Sequence, residues 1–166
     1  KTGVLEIGPG IGVLTKELCK VAKKVVSIEL DKRLLPVLDE TLADFDNLEI
    51  VNGDVMELDL KKLIKEKFEG CDNIKVCANL PYYITTQIIE KVLTECKIID
   101  EIVVMVQKEV ALKYTSDYKS PLTFMIQDMG KIEYMFTVSQ NVFIPAPHVD
   151  SAILKITIDR PADLNL

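Results

Sequence analysis

The sequence contains a single histidine, His148, and its four cysteines are scattered without a CxxC pair. None of Cys19, Cys71, Cys77 and Cys96 has a histidine close to it along the chain. These spacings do not match a structural zinc site, and we expect no bound metal. Scattered cysteines in a chain rich in core residues are typical of reduced, buried thiols, which predicts a cytoplasmic protein.

Long apolar runs and an excess of positive charge are also absent. No run approaches the length that crosses a bilayer and no signal peptide is visible, so no membrane partner is expected. The 166 residues are 48% hydrophobic and 28% charged, the balance of one globular domain with a sizeable core. The net charge of −6 argues against a strong nucleic-acid binder acting alone. It leaves open an enzyme that acts on nucleic acid through a local basic face or a further segment.

What the sequence does contain is a regular alternation of strand-like and helix-like segments. Strands are predicted at residues 4–7, 24–28, 48–51, 74–77, 101–107, 132–138 and 152–158, and helices at 13–21, 31–42, 60–68, 85–93, 108–114 and 121–129. This alternation predicts an α/β fold with a doubly wound, mostly parallel sheet. The strand at 101–107 is nearly all apolar, as expected of a strand covered on both faces. No clear helix separates the last two strands, which are therefore expected to form an antiparallel edge pair.

A glycine-rich loop follows the first predicted strand. Gly8, Gly10 and Gly12 allow the backbone to approach a ligand closely, and the loop ends where the first helix begins. Such a loop is often only a turn, so by itself it is weak evidence for a ligand site.

Two carboxylates follow the next two strands. Glu29 ends the second strand about 20 residues beyond the glycine loop, the spacing at which a carboxylate accepts both ribose hydroxyls. Asp54 ends the third strand, where it can accept a hydrogen bond from an exocyclic amine such as adenine N6. A carboxylate after a strand is often a helix cap. The loop and both carboxylates at three consecutive strand ends together predict an adenosine site.

The spacing of the glycines bears on which adenosine cofactor is bound. A dinucleotide loop reads G-x-G-x-x-G, and its third glycine lets the helix pack closely. Here Val13 stands where that third glycine would be. The loop therefore favours S-adenosylmethionine, a ligand without a pyrophosphate, over the nicotinamide dinucleotide of an oxidoreductase.

A loop with an amide, a proline and two aromatic residues follows the fourth strand. Asn79 offers a carbonyl acceptor and an NH2 donor, Pro81 restricts the loop to few conformations, and Tyr82 offers a face on which a base can stack. Open α/β sheets place their chemistry in such loops. The residues suit a flat, polar ring, although a βα turn with an aromatic plug would carry the same sequence.

Taken in order, these segments resemble the ribosomal RNA adenine-N6,N6-dimethyltransferases over nearly the whole chain. The resemblance is carried by Leu5-Glu6-Ile7-Gly8-Pro9-Gly10-Ile11-Gly12, Glu29, Gly53-Asp54, Asn79-Leu80-Pro81-Tyr82, Gln107-Lys108-Glu109-Val110-Ala111 and Val142-Phe143-Ile144-Pro145-Ala146-Pro147-His148-Val149-Asp150-Ser151-Ala152. It implies a Rossmann-like methyltransferase fold and an enzyme that uses S-adenosylmethionine. The sequence is most similar to the branch that dimethylates two adjacent adenines near the 3′ end of small-subunit rRNA. The Gly-Pro-Gly loop and the Phe-x-Pro-x-Pro-x-Val-Asp-Ser-Ala stretch favour that branch over the macrolide-resistance branch, which acts on large-subunit rRNA.

The resemblance also implies a cofactor-binding set. Gly8 and Gly10 would line the methionine and ribose side of the cofactor, and Glu29 would hold the ribose hydroxyls. The adenine amine would bind Asp54. The full set is Gly8, Gly10, Glu29, Leu30, Asp54, Val55 and Asn79.

The same resemblance implies a catalytic set around the target adenine. Asn79 would bind the reacting N6 with help from the Leu80 carbonyl, and Pro81 would keep this loop rigid. Tyr82 and Phe143 would sandwich the flipped base. Phe143 could instead fill the core beneath the proline loop that follows it.

Two segments of the family pattern are missing, one upstream of the first strand and a small helical domain after the last. We therefore expect residues 1–160 to form the catalytic domain without its N-terminal segment, and residues 161–166 to begin a linker to the absent domain. A piece of this extent is expected to fold and to methylate RNA poorly.

The expected partner is small-subunit rRNA in a pre-30S-type ribosomal subunit, and the expected state is a monomer. Two alternatives are a methyltransferase of the large-subunit type and a non-catalytic ribosome-assembly or nucleic-acid-binding factor on the same fold. The combination of Glu29, Asp54, Asn79 and Tyr82 argues against the second alternative, because a pure binder has no need of these residues.

Overall fold

The computed structural model describes residues 1–79, 84–117, 119–143 and 145–159. The chain forms two compact units, the first Lys1–Ile99 and the second beginning at Asp100. Strands and helices alternate along most of it, as the sequence predicts. None of the described helices is long and apolar enough to span a bilayer.

The first unit is built on four parallel strands in the order β3-β2-β1-β4. These are β1 (Thr2–Ile7), β2 (Lys24–Glu29), β3 (Leu48–Asn52) and β4 (Asn73–Asn79). In β1 and β2 every residue after the first is buried, the near-continuous burial expected of strands inside a parallel sheet. The helices are α1 (Val13–Val21), α2 (Leu35–Thr41), α3 (Leu60–Lys67) and α4 (Thr85–Glu95).

The helix predicted at 31–42 is divided in two. Asp31 caps its start, since its side chain accepts a hydrogen bond from the Arg33 backbone N–H, but residues 32–34 form a 3₁₀ turn before α2. Pro36 explains the division, because it has no N–H to donate to the Lys32 carbonyl. The Leu35 N–H bonds that carbonyl instead, which is the tighter 3₁₀ pattern.

Among the described residues, the second unit contains three strands in antiparallel pairing and two helices. Its strands are β5 (Ile99–Gln107), β6 (Gly130–Val138) and β7 (Ser151–Ile158), in the order β5-β7-β6, and its helices are α5 (Lys108–Thr115) and α6 (Pro121–Met129). Ser120 and Thr123 cap α6 reciprocally, each side chain accepting from the other's backbone N–H. The predicted antiparallel pair at the C-terminal end is confirmed, and with it the α/β fold class. β5 differs from expectation, since its buried residues alternate with half-buried ones.

Candidate active site

The carboxyl ends of the four parallel strands meet at one edge of the first unit. Ile7 in β1 is in register with Ile28 in β2 and with Ala78 in β4. Glu29 in turn is in register with Asn52 in β3. Gly8, Glu29 and Asn79 directly follow Ile7, Ile28 and Ala78, and Asp54 lies two residues beyond Asn52. The topology therefore places the glycine loop between the ends of β2 and β4. Strand order, which the sequence pattern alone does not give, produces this arrangement.

The glycine loop turns through left-handed backbone at Gly8, Gly10 and Gly12, with φ angles of 74°, 60° and 93°. The Gly8 N–H donates to the Ile28 carbonyl at 3.0 Å, which holds the loop against β2. A Cβ at Gly10 would meet no atom within 4 Å, whereas one at Gly12 would lie 3.1 Å from Leu38 and 3.0 Å from Leu42. Gly12 is therefore needed for packing, and the open space over Gly10 is where a ligand can approach the backbone.

The Glu29 carboxylate contacts this loop directly. One of its oxygens, Oε1, accepts a hydrogen bond from the Gly10 N–H at 3.3 Å, and the other, Oε2, accepts from the Asp31 N–H at 3.0 Å. The residue is only 7% exposed, and the two backbone amides fix the direction of its carboxylate. Each carboxylate oxygen has a further lone pair, which suits a pair of neighbouring hydroxyls. Gly10 and Glu29 are thus brought into direct contact, and their role in an adenosine site remains a prediction.

Asp54 lies at the start of a tight turn beyond β3. Its Oδ1 accepts from the Met56 N–H at 2.9 Å, and its backbone carbonyl accepts from the Glu57 and Leu58 N–H groups at 3.0 and 3.1 Å. Oδ2 has no hydrogen bond among the described residues, so it is the oxygen left for an amine. Val55 beside it is buried and can form an apolar wall for a ring.

The remaining predicted residues differ in how far the structure describes them. Leu30 is exposed beside Glu29, and Asn79 is exposed at the end of β4. Leu80, Pro81 and Tyr82 lie outside the described residues, so their roles remain predictions.

Phe143 belongs to the second unit and is half-buried. Its N–H donates to the Gln140 carbonyl at 3.3 Å, and the Gln140 N–H donates to Asp150 Oδ1 at 2.9 Å. The Asp150 carbonyl accepts from the Lys108 N–H at 2.9 Å, which anchors the loop at the start of α5. Partial exposure on an anchored loop is compatible with stacking on a base. It is equally compatible with the alternative role, in which Phe143 fills the core beneath the proline loop.

Glu6 is a polar residue of this region that the sequence reasoning missed. It is 1% exposed, and its Oε1 accepts from the Thr15 hydroxyl at 2.5 Å and the Ser27 hydroxyl at 2.7 Å. Its Oε2 is buried with no partner among the described residues. This carboxylate joins β1, β2 and α1. A carboxylate inside an apolar strand is the signal that points to it, because such a charge needs partners.

Burial raises the pKa of Glu6, opposed by the two hydroxyl donors and reinforced by the charge of Glu29. The native state therefore holds the proton more tightly than the unfolded chain, whose carboxyl titrates near 4.5. The contribution of Glu6 to stability is full below that value and is lost as the pH rises through the raised pKa.

Glu6→Gln is expected to remove this pH dependence. Glutamine keeps an oxygen acceptor for Thr15 and Ser27 and never carries a charge. Urea unfolding at a series of pH values should show wild-type stability falling as the pH rises above about 4.5 relative to the variant. Glu40→Gln, at an exposed position on α2, is the matched control and should follow the wild type. Parallel curves for wild type and Glu6→Gln would show that Glu6 does not titrate differently in the folded protein.

Comparison with known proteins gives an independent line of evidence. A ribosomal RNA adenine dimethylase family model matches residues 1–165. The ribosomal RNA small subunit methyltransferase A of Bacillus cytotoxicus is 48% identical over 166 residues, covering 97% of this chain and 56% of that protein. The chain thus spans about half the length of the curated relatives it matches.

Two solved structures of related enzymes share the fold. The 23S rRNA methyltransferase ErmE is 34% identical with a TM-score of 0.81, covering 96% of this chain and 62% of that one. A dimethyladenosine transferase from Plasmodium falciparum is 31% identical with a TM-score of 0.78, covering 95% of this chain and 56% of that one. With the family model matched over nearly every residue, the chain belongs to the ribosomal RNA adenine dimethylase family.

Proposed function

We propose that the protein transfers methyl groups from S-adenosylmethionine to N6 of two adjacent adenines near the 3′ end of small-subunit rRNA. The observation that carries this proposal is the meeting of Gly10, Glu29, Asp54 and Asn79 at one edge of a parallel sheet. Family membership argues against the nicotinamide-dependent alternative. An enzyme of this kind works where ribosomal subunits assemble, which supports a cytoplasmic location.

The residues present fit an adenosine cofactor. The Glu29 carboxylate, oriented by the Gly10 and Asp31 amides, has lone pairs for both ribose hydroxyls. Oδ2 of Asp54, which has no hydrogen bond among the described residues, suits the adenine amine, and the space over Gly10 admits a ligand that a side chain would block. S-adenosylmethionine supplies, when bound, a methyl group activated by its sulfonium.

The role proposed for the chain at the target base is mainly one of positioning. The N6 amine of adenine is a poor nucleophile, because its lone pair is delocalised into the ring. The Asn79 side-chain oxygen and the Leu80 carbonyl would accept hydrogen bonds from this amine, favouring a pyramidal nitrogen whose lone pair points at the methyl donor. No strong base is needed, because the amine becomes acidic as the new bond forms. Tyr82 and Phe143 would hold the base outside its stack, offsetting part of the cost of unstacking.

The choice of ribosomal subunit is the finer part of the proposal. Relatives named as small-subunit enzymes are 45–48% identical to the chain, which supports the small subunit. The large-subunit alternative has an observation of its own, since ErmE has a higher TM-score, 0.81, than the dimethyladenosine transferase, 0.78. The fold is shared by both branches, so we give the greater identity more weight.

A methylation assay on both subunits decides between these substrates. The protein at its natural length is incubated with labelled S-adenosylmethionine and with undermethylated small or large subunits, and the labelled base is mapped. We expect dimethyladenine at two adjacent positions of small-subunit rRNA. Labelling confined to large-subunit rRNA would move the protein to the other branch, and no labelling of either would support a non-catalytic factor.

A further inference from the structure

A lysine on α4 reaches the turn that carries Asp54. The Lys91 ammonium donates to the Met56 carbonyl at 2.9 Å, across 35 residues of sequence. The Lys91 side chain is only 16% exposed, and its ammonium also pairs with Glu95 on the same helix at 3.2 Å. A hydrogen bond from a charged, mostly buried donor is stronger than a neutral one at the surface. The bond from Lys91 to the Met56 carbonyl is therefore expected to hold the two residues together more strongly than an exposed ion pair on a helix would.

The residue that Lys91 bonds, Met56, also orients the Asp54 carboxylate through its other backbone group. The Met56 N–H donates to Asp54 Oδ1 at 2.9 Å, while the Met56 carbonyl accepts from Lys91. Met56 is thus held at both of its backbone groups, at the N–H by the Asp54 carboxylate and at the carbonyl by Lys91 of α4. Movement of Met56 would rotate the Asp54 carboxylate and misdirect Oδ2, which has no hydrogen bond to a described residue.

The helix that supplies Lys91 is firmly anchored. Ile88, Ile89 and Val92 are each 1% exposed. These residues lie next to Lys91 in the sequence, so α4 is fixed to the core on both sides of it. The helix also begins at Thr85, just after the loop proposed to hold the target base. One rigid element therefore follows the base-binding loop and supports the turn proposed to hold the cofactor's adenine.

We propose that Lys91 is a positioning residue for the adenine end of the cofactor site. It holds the 54–58 turn so that Asp54 Oδ2 faces the exocyclic amine, and Glu95 keeps its ammonium in place. This inference rests on the proposed function, specifically on the assignment of Asp54 to the adenine amine. Lys91 contacts neither substrate nor cofactor in this scheme and acts only through Met56 and Asp54.

The test compares two ligands that differ at the amine. S-adenosylhomocysteine carries the adenine amine, and S-inosylhomocysteine has a carbonyl oxygen in its place. Calorimetric titration of the protein at its natural length gives the ratio of their affinities. Loss of a hydrogen bond to a charged group predicts that the wild type prefers the adenosyl ligand by about tenfold or more. Lys91→Met, which keeps an apolar stem and removes the donor, should reduce that preference by about threefold to tenfold.

Three further variants separate positioning from simple stabilisation. Lys91→Arg keeps a charged donor and should retain most of the preference. Glu95→Gln removes the charge that holds the lysine and should lower the preference for the adenosyl ligand by about twofold. This variant tests the proposal if Lys91→Met does not unfold cooperatively. Lys97→Met, an exposed lysine just beyond α4, is the matched control and should leave the preference unchanged.

The outcomes distinguish the two proposals. A wild type that binds both ligands equally would remove Asp54 from the adenine amine and with it that part of the proposed function. A wild type that prefers the adenosyl ligand, beside Lys91→Met with an undiminished preference, would overturn the role of Lys91 and leave the proposed function standing. Weaker binding of both ligands by the same factor would count as the second outcome, because general destabilisation moves both affinities together.

Discussion

Glu29→Ala is expected to weaken S-adenosylmethionine binding by roughly tenfold to a hundredfold, the equivalent of losing charge-assisted hydrogen bonds worth about 1.5–3 kcal/mol. The carboxylate loses its proposed bonds to the ribose hydroxyls. It also loses the bonds that it accepts from the Gly10 and Asp31 amides, so the glycine loop keeps its Gly8–Ile28 bond to β2 but loses its bond to Glu29. Calorimetric titration of wild type and variant gives the two dissociation constants directly.

A second variant separates the ribose contact from the support of the loop. Glu29→Gln keeps an oxygen acceptor for one backbone amide but has no charge and cannot accept on both sides. Its affinity should therefore fall between those of wild type and Glu29→Ala. Because the alanine variant leaves two backbone amides without their acceptor, its unfolding midpoint is measured first, and binding is compared well below it. Unchanged affinity in both variants would remove Glu29 from the cofactor site.

Much of the fold could be predicted because strand burial and helix caps are local signals. The sequence predicts α1 at the same bounds that the structure has, since the glycine loop fixes its start and apolar spacing fixes its face. Asp59 illustrates such a signal, because aspartate is a preferred capping residue and its side chain accepts from the Lys62 N–H at the start of α3. The division of the helix at Pro36 was missed, although the missing N–H of proline is itself a local signal.

The site was predictable only in part, because its supporting contacts join residues that are distant in sequence. Spacing alone leads to Glu29 and Asp54, since each follows a strand. No spacing rule connects Lys91 to Met56, 35 residues earlier, or Glu6 to Ser27, 21 residues later. Such contacts depend on strand order and helix packing, and these follow from the tertiary structure as a whole.

Asn79→Ala is expected to have the largest effect on the rate of methyl transfer. The side-chain oxygen is proposed to orient the reacting nitrogen, and misplacing a reacting group by about 1 Å lowers a rate by roughly a hundredfold. Cofactor affinity should change little, because Asn79 is one member of the cofactor-binding set and the ribose and adenine contacts are assigned to Glu29 and Asp54. Single-turnover methylation of undermethylated small subunits, with the protein in excess and at its natural length, measures the rate at saturating cofactor.

Tyr82 is expected to fail in a different way, because its proposed role is stacking. Base–aromatic stacking is worth about 1–3 kcal/mol per base, so Tyr82→Ala should weaken capture of the target adenine as well as slow its methylation. Tyr82→Phe keeps the aromatic face and should retain most activity, which makes it the matched control. If Tyr82→Phe is as damaged as Tyr82→Ala, the hydroxyl matters and the stacking role is wrong. If Asn79→Ala transfers methyl groups at the wild-type rate, the Asn79–Tyr82 loop is only a rigid turn, and the reacting nitrogen must be oriented by other groups.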